Sequence, residues 1–298
     1  MILITAGLIA NLGATSALAQ QNFVPGFAGL KVGTQPPPGI YAAIAGWGYS
    51  ASTVVDRNGD SHSINNGGLD ANVLGVSLSM VTKWKLLGGN YGFAALASWV
   101  NSRVEIPSIG VSNGGKWGLT STYLQPISLG WSTPRADYLA GYAIYLPTGA
   151  WTFRGSNNFG LGMYTQEFSG GSTFYLDAKK STHLALELVY DINSRKQGTT
   201  YTQSDPLTLQ GGLGHNYGDA KKLSSGWFGV AGFGQWTVNP TSYGTSLGTI
   251  NGPYPRSYGL GPEFVTIQGA LTLRYEWEFG SRSALQGPLW AVFFAAPI

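Results

Sequence analysis

The segment Ser181–Asn193, with the sequence STHLALELVYDIN, decides the fold class of this chain. Apolar and polar residues alternate along it, and a period of two is that of a β-strand whose side chains point to opposite faces. One face carries Leu184, Leu186, Leu188, Tyr190 and Ile192, and the other carries His183, Ala185, Glu187, Val189, Asp191 and Asn193. We therefore predict a strand with one apolar face and one face that bears charge.

A second stretch, Ala270–Phe279, repeats the pattern near the end of the chain. Leu271, Leu273, Tyr275, Trp277 and Phe279 alternate with Thr272, Arg274, Glu276 and Glu278. The apolar row ends in three aromatic residues, which a soluble β-sandwich rarely shows. Membrane barrels place aromatic girdles where their strands meet the lipid headgroups. The pattern therefore favours strands that cross a membrane.

Alternation along the rest of the chain predicts about twelve strands in all. We place them near 39–54, 70–83, 91–105, 117–131, 136–147, 159–177, 181–193, 203–216, 225–238, 257–266, 270–280 and 287–296. Long connections, such as 56–69 and 239–256, alternate with short ones, such as 132–135 and 178–180. This arrangement is typical of outer-membrane barrels with long outer loops and short periplasmic turns. The predicted fold is all-β, a transmembrane antiparallel up-and-down β-barrel.

The composition excludes several other classes of protein. Of 298 residues, only 10% are charged and 13% are aromatic, which is unusual for a soluble domain of mixed helix and sheet. A hydrophobic content of 43% argues against disorder, and a net charge of only +3 argues against nucleic acid as a partner. The chain has no cysteine, so disulfide and thiolate chemistry are excluded.

The N-terminal residues predict export. Residues 1–19 are uncharged, run apolar, and end in Ala17-Leu18-Ala19 before a polar stretch, as a cleaved signal peptide does, although the usual basic start is missing. Residues 20–38 end in Pro36-Pro37-Pro38, which cannot continue a sheet because proline lacks the amide donor. We expect them to form a periplasmic tail or a plug in the lumen, and residues 39–298 to form the barrel. The predicted location is the bacterial outer membrane.

The charged residues on the inward faces are the candidate functional residues. They are His183, Glu187 and Asp191 on one strand, Glu263 on another, and Arg274, Glu276 and Glu278 on a third. They either line a water-filled passage that selects solutes, or form a network that holds a narrow barrel closed. The aromatic residues Trp117, Trp151, Tyr164 and Tyr243 either form a track for an aromatic solute or anchor the barrel at the membrane interface.

Nothing in the sequence predicts an enzyme, a cofactor or a metal site. His62, His183 and His215 lie on separate segments without a close-spaced ligand pair. The loop 56–60 lacks the later ligands of a calcium loop and is better explained as a turn. Ser181 lies near His183, but no Gly-x-Ser-x-Gly motif accompanies them. A Gly-rich phosphate loop is also missing, so no energy source is visible.

Short motifs distributed along the chain resemble the outer-membrane proteins of the meta pathway of phenol degradation. They begin with Pro38-Gly39-Ile40-Tyr41 and continue through Tyr145–Gly149, Tyr190–Asn193, Thr200-Tyr201 with Asp205, and Leu260-Gly261-Pro262. No single motif is specific, but together the motifs occur in the family's order and spacing and span nearly the whole barrel. The resemblance implies transport of hydrophobic or aromatic compounds. The chain departs from the family at its C-terminus, which ends Ala295-Ala296-Pro297-Ile298 rather than in an aromatic residue.

We therefore expect a channel or facilitator for the passive passage of small hydrophobic or aromatic compounds. The alternative is a structural or adhesive barrel with a closed lumen, whose long loops, above all 239–256, meet an outside partner. The expected partners are outer-membrane lipid and lipopolysaccharide, the transported solutes, and the barrel assembly machinery. That machinery would recognise Phe293 or Phe294 in place of a terminal aromatic residue.

Overall fold

Twelve strands form one closed antiparallel ring in the computed structural model, which describes residues 21–153, 158–219, 222–246 and 248–298. The predicted signal peptide lies outside the described residues. In chain order the strands are β1 (Gly39–Ala51), β2 (Gly68–Leu86), β3 (Gly89–Ile106), β4 (Thr122–Ser132), β5 (Ala136–Leu146), β6 (Thr165–Tyr175), β7 (Thr182–Asn193), β8 (Asp205–Tyr217), β9 (Gly226–Asn239), β10 (Arg256–Thr266), β11 (Leu271–Arg282) and β12 (Pro288–Pro297).

Each strand pairs with its neighbours in the sequence, and the first strand pairs with the last. The β1–β12 seam runs from Tyr41 opposite Pro297 to Tyr49 opposite Leu289. Because every strand has two neighbours, the ring satisfies its backbone hydrogen bonds without a free edge, as a structure in a lipid environment requires. The prediction of an all-β, twelve-stranded barrel is confirmed.

Two predicted strands differ from the observed ones more than the others do, which agree to within three residues at each end. The strand expected over 117–131 is interrupted at residues 120–121, so that the stretch Val111–Leu119 pairs with β3 and β4 begins at Thr122. The strand expected over 159–177 begins only at Thr165. Glycines at 114, 115, 160 and 162 obscure the alternation in both places. The period of two cannot locate a boundary where side chains are absent.

The two ends of the barrel have connections of different length. At the short-turn end, β2 and β3 are joined by Leu87 and Gly88 alone, both with positive φ as a two-residue hairpin requires. At the long-loop end, the connections form two small three-stranded sheets. One contains Thr53–Val55, Ser61–Ser63 and Ala284–Gln286, and the other contains Tyr201–Thr202, Ser242–Thr245 and Gly248–Asn251.

The two faces of the wall differ as the alternation predicts. On β7, Leu186 and Leu188 point outward and are exposed, whereas His183 and Asp191 point inward and are buried. On β11, Trp277 is exposed on the outside, among other outward aromatic residues. No helix within the described residues is long and apolar enough to cross a membrane. The side chains on the outer face of the wall are mainly apolar, and those on the inner face are mostly polar.

Residues 21–38, which we call the inner segment, lie inside the ring of strands. Gln21 is next to Ser204 at the long-loop end, and Gln35 is next to Ser128 near the short-turn end. Leu30, midway between them, has no exposed surface. The inner segment therefore runs along the length of the barrel interior before the chain enters β1.

Part of the interior nearer the long-loop end is filled by an apolar cluster. It contains Trp47, Tyr49, Ala51, Leu69, Ala71, Val104, Phe233, Leu289 and Ala291. Val24 of the inner segment packs against this cluster, and Phe27 makes an edge-on ring contact with Phe293 at 5.0 Å. These contacts bury apolar surface on one side of the inner segment, whereas its other neighbours are polar.

Candidate functional site

The candidate residues all point into the barrel, but they form two separate groups. His183, Glu187 and Asp191 lie on β7, and Glu263, Arg274, Glu276 and Glu278 lie on β10 and β11. Each is at most 8% exposed. No hydrogen bond or ion pair joins the β7 group to Arg274 in the part of the chain that the structure describes. Between the two groups run β8, β9 and the inner segment.

In the second group, Glu263 and Arg274 face each other across β10 and β11. The Nε of Arg274 donates to Oε2 of Glu263 at 2.8 Å, and Nη2 donates to the same oxygen. Both side chains are almost fully enclosed. A buried ion pair of this kind needs further hydrogen bonds to offset its desolvation.

The inner segment supplies those hydrogen bonds. Nη1 of Arg274 donates to the carbonyl oxygens of Gly26 and Ala28, the latter at 3.2 Å. The amide of Leu30 donates to Oε1 of Glu263 at 3.2 Å. The ion pair therefore holds the middle of the inner segment against the wall of the barrel.

Other polar contacts hold the two ends of the inner segment. Near the long-loop end, Nδ2 of Asn22 donates to Oγ1 of Thr165 at 2.7 Å. Near the short-turn end, Oγ1 of Thr34 donates to Oδ2 of Asp137 at 3.0 Å, and Nζ of Lys31 lies 4.0 Å from the ring centre of Trp227. All of these are single contacts to side chains, so none of them adds the inner segment to the sheet as a further strand.

Small residues let the inner segment fit beside the wall. A Cβ atom at Gly33 would lie 2.2 Å from the carbonyl carbon of Ser172, in the backbone of β6. On the wall side, a Cβ at Gly212 would lie 2.7 Å from a methyl carbon of Leu30. A larger side chain at Gly33 would have to displace backbone, because the neighbouring atoms of Ser172 belong to the main chain of the sheet.

Next to the β7 group, two tyrosines bind a carboxylate. The hydroxyls of Tyr123 and Tyr145 donate to the two oxygens of Glu167 at 3.2 and 3.0 Å. Glu167 stands opposite Asp191 in the β6–β7 pair. The sequence reasoning missed Glu167, Tyr123 and Tyr145. The signal that could have found Glu167 is its two-residue spacing from Thr165, which glycines 170 and 171 obscure further along the strand.

The enclosed interior has more hydrogen-bond acceptors than donors to meet them. Both carboxylate oxygens of Asp191, and one oxygen each of Glu276 and Glu278, have no hydrogen-bond partner among the described residues. Glu187 and the other oxygen of Glu278 are bound by Gln210 and Tyr49, at 2.7 and 2.8 Å. Unpaired buried polar atoms are rare in folded proteins, so these oxygens are places where a water molecule or a solute can bind.

The interior has no arrangement typical of a hydrolase or a metal centre in the described ranges. Neither ring nitrogen of His183 has a hydrogen-bond partner there, so no serine is bonded to it. No group of three or more His, Asp or Glu side chains in those ranges could hold a metal ion. The loop 56–60 is a turn in which the carboxylate of Asp56 accepts three backbone amides. These bonds lower the pKa of Asp56.

Among solved structures, the chain is similar to an outer-membrane channel from Pseudomonas putida F1. The two chains are 11% identical, and the match covers 90% of this chain and 98% of that one with a TM-score of 0.68. A second similar structure is the β domain of the Bordetella autotransporter BrkA, at 12% identity, with coverage of 87% and 99% and a TM-score of 0.45. No curated protein sequence matches the chain. The first likeness shows that the fold is that of an outer-membrane channel.

A family model matches residues 51–289, which is most of the barrel. Its description is "Putative MetA-pathway of phenol degradation", and the match confirms the resemblance carried by the short motifs. Together with the closed ring and its apolar outer face, this places the protein in the bacterial outer membrane. The long-loop end then faces outside and the short-turn end faces the periplasm. The chain therefore belongs to this MetA-pathway phenol-degradation family and is an outer-membrane barrel.

Proposed function

We propose that this protein is a channel for the passive passage of small hydrophobic or aromatic compounds across the outer membrane. The family and the fold support this class of function. We further propose that the inner segment is a plug, and that His183, Glu187, Asp191, Glu263, Arg274, Glu276 and Glu278 line the path that opens when it moves.

One observation carries this proposal: the inner segment runs through the barrel without joining its sheet. Its hydrogen bonds to the wall each involve a wall side chain, such as those to Thr165 and Asp137 and those that join its backbone to Glu263 and Arg274. A strand in the sheet would exchange a ladder of backbone bonds with its neighbour, and breaking such a ladder is costly. A segment held by single contacts can be displaced while the wall stays closed.

A disulfide lock tests whether the inner segment moves. The chain has no cysteine, so Thr34→Cys together with Asp137→Cys introduces the only possible disulfide, at a place where the two native side chains are hydrogen bonded. We expect the oxidised protein to show no conductance in a planar bilayer and the reduced protein to recover it. Each single-cysteine variant is the control. Equal conductance in the oxidised and reduced states would show that passage does not require the inner segment to move.

Solute entry tests the class of compound. Toluene crosses plain phospholipid readily, so entry is best measured in Gram-negative cells whose outer leaflet is lipopolysaccharide, with and without the protein. We expect faster entry of radiolabelled toluene and no change for benzenesulfonate, a charged solute of similar size. Equal acceleration of both would indicate an unselective pore.

The alternative is a structural barrel with a closed lumen. The inner segment and the apolar cluster around Trp47 favour it, because both occupy part of the barrel interior. In this case neither conductance nor toluene entry would depend on the protein, and the locked and unlocked forms would behave alike.

We also propose how the outer face and the last strand are used. The outward apolar side chains contact outer-membrane lipid and lipopolysaccharide. Phe294 is 45% exposed on the outer face of β12, whereas Phe293 packs inward against Phe27. Phe294 is therefore the aromatic residue available to the barrel assembly machinery. Phe294→Ala should lower the amount of assembled barrel in cells, and Phe293→Ala should affect assembly less.

A further inference from the structure

Three connections at the long-loop end meet around a lysine. Their described parts are residues 147–153 and 158–164, residues 194–204, and residues 240–246 and 248–255. They contribute Trp151, Lys196, Tyr201 and Tyr243, which we call the lysine cluster. The backbone amide of Lys196 donates to the carbonyl of Tyr201 at 2.9 Å, and the amide of the next residue, Gln197, donates to that of Gly162 at 2.7 Å. The indole nitrogen of Trp151 donates to the carbonyl of Gln197 at 3.2 Å. These bonds fix the backbone at Lys196 and Gln197.

The ammonium group of Lys196 lies between two aromatic rings. Its Nζ is 4.9 Å from the ring centre of Trp151 and 5.0 Å from that of Tyr201. Tyr243 stands edge-on to Tyr201, with 4.7 Å between ring centres. Cation–π contacts of this kind stabilise a buried ammonium. They do not replace the hydrogen bonds that its three protons make in water.

In the part of the chain that the structure describes, no anion balances this charge. Lys196 is only 6% exposed, yet among those residues its Nζ makes no hydrogen bond and belongs to neither of the two ion pairs. The three connections contain Arg154, Arg195 and Lys196 but no aspartate or glutamate. Asp205, which follows the second connection, is occupied by the amide of Asn193 and the side chain of Asn239. Burial without a counter-ion lowers the pKa of Lys196 to about 8.

We propose that the lysine cluster is a binding site for an aromatic carboxylate at the outer mouth of the barrel. The carboxylate would pair with the Lys196 ammonium, which a buried charge requires for stability. The aromatic ring would stack on Trp151 or Tyr243, whose rings are only partly buried. The site lies in the loops and not in the lumen, so it is independent of the passage proposed above.

Equilibrium dialysis of the refolded full-length protein with radiolabelled benzoate tests this site. We expect saturable binding of benzoate and not of benzamide, which has the same shape without the charge. Lys196→Gln should weaken benzoate binding by about tenfold or more, because it removes one partner of a charge pair. Lys179→Gln is the matched control, since Lys179 is exposed in a periplasmic turn. Heat-dependent mobility on gels shows whether each variant is folded.

The pH dependence separates a charge pair from simple partitioning of the ring. Burial raises the pKa of Tyr201 and of Tyr243, so Lys196 is the group in the cluster that loses its proton first. Benzoate binding should therefore fall between pH 7 and 10 in the native protein and persist at pH 10 in Lys196→Arg. Equal binding by Lys196→Gln and the native protein, binding of benzamide as tight as that of benzoate, or no saturable binding of benzoate would each overturn the proposal.

Discussion

Glu263 and Arg274 form an ion pair inside the barrel in which each partner also binds the inner segment. Glu263 accepts the amide of Leu30, and Arg274 donates to the carbonyls of Gly26 and Ala28. The pair thus connects two strands of the wall to the segment that fills it. Its geometry makes the stability of the wall and the position of the inner segment depend on the same two side chains.

Arg274→Gln should therefore destabilise the barrel strongly. It leaves the Glu263 carboxylate buried without a counter-ion, which costs about 3–5 kcal/mol in comparable pairs. The measurement is the free energy of unfolding in urea with detergent-refolded protein. The double variant Glu263→Gln with Arg274→Gln removes both charges and should recover a large part of the loss. A double variant less stable than Arg274→Gln would contradict this account.

Gly33→Val should displace the inner segment and open the lumen. The new side chain would collide with the backbone of β6 at Ser172, as a Cβ alone would lie 2.2 Å from its carbonyl carbon. We expect a higher single-channel conductance or more frequent openings than in the native protein. Gly170→Ala is the control. Gly170 lies on β6, as Ser172 does, but a Cβ atom there would meet no other atom within 4 Å. Unchanged recordings for Gly33→Val would argue that the inner segment does not limit conduction.

The surplus of acceptors predicts a preference among aromatic solutes. The two oxygens of Asp191 lack partners, whereas its neighbour Glu167 is bound by two phenolic hydroxyls of the protein itself. A solute that carries a hydroxyl can bind Asp191 in the same way, so phenol should enter faster than its methyl ether, anisole. Asp191→Leu should remove this preference and Asp191→Asn, which keeps an acceptor, should retain part of it. Phenol and anisole entering at the same rate in the native protein would rule it out.

The turn between β6 and β7 should weaken in acid. The carboxylate of Asp177 accepts the backbone amides of Lys179 and Ser181, at 2.9 and 3.1 Å, and that of Thr182. These bonds lower the pKa of Asp177, so its contribution to stability is complete above the unfolded value of about 3.9 and is lost as the pH falls through the lower folded value. Asp177→Ala should lower the urea midpoint at pH 7 but make little difference near pH 2. An equal fall of the urea midpoint at both pH values would show that the loss of stability does not come from the ionised Asp177 carboxylate.

The sequence alone predicted the wall of the barrel well. Alternation over Ser181–Asn193 and Ala270–Phe279 gives the direction of the side chains on β7 and on β11 as far as Phe279, because each strand separates lipid from the interior. Beyond Phe279 the alternation shifts by one residue, since Gly280 is exposed and Ser281 is buried. The inward position of Asp191 and Arg274 follows from this periodicity without further information. Strand ends were less predictable, as the break at residues 120–121 shows.

The contents of the barrel could not be predicted in the same way. Residues 21–38 have no periodicity, and the wall residues that hydrogen bond to residues 21–35 lie 93 to 248 positions away, as for Gln35 with Ser128 and Gly26 with Arg274. Only the packing of the whole ring shows which side chains meet. The same holds for Lys196, whose lack of a counter-ion is visible only when the three outer connections are seen together.

The inner segment also constrains the order in which the molecule assembles. It precedes β1, so it is made before any strand of the barrel, yet several of its partners belong to strands from β4 to β12. Contacts so distant in sequence form slowly, because the loops between them must close first. The inner segment is thus made before the strands but is among the last parts to reach its final contacts, and the wall can take shape before its interior is occupied.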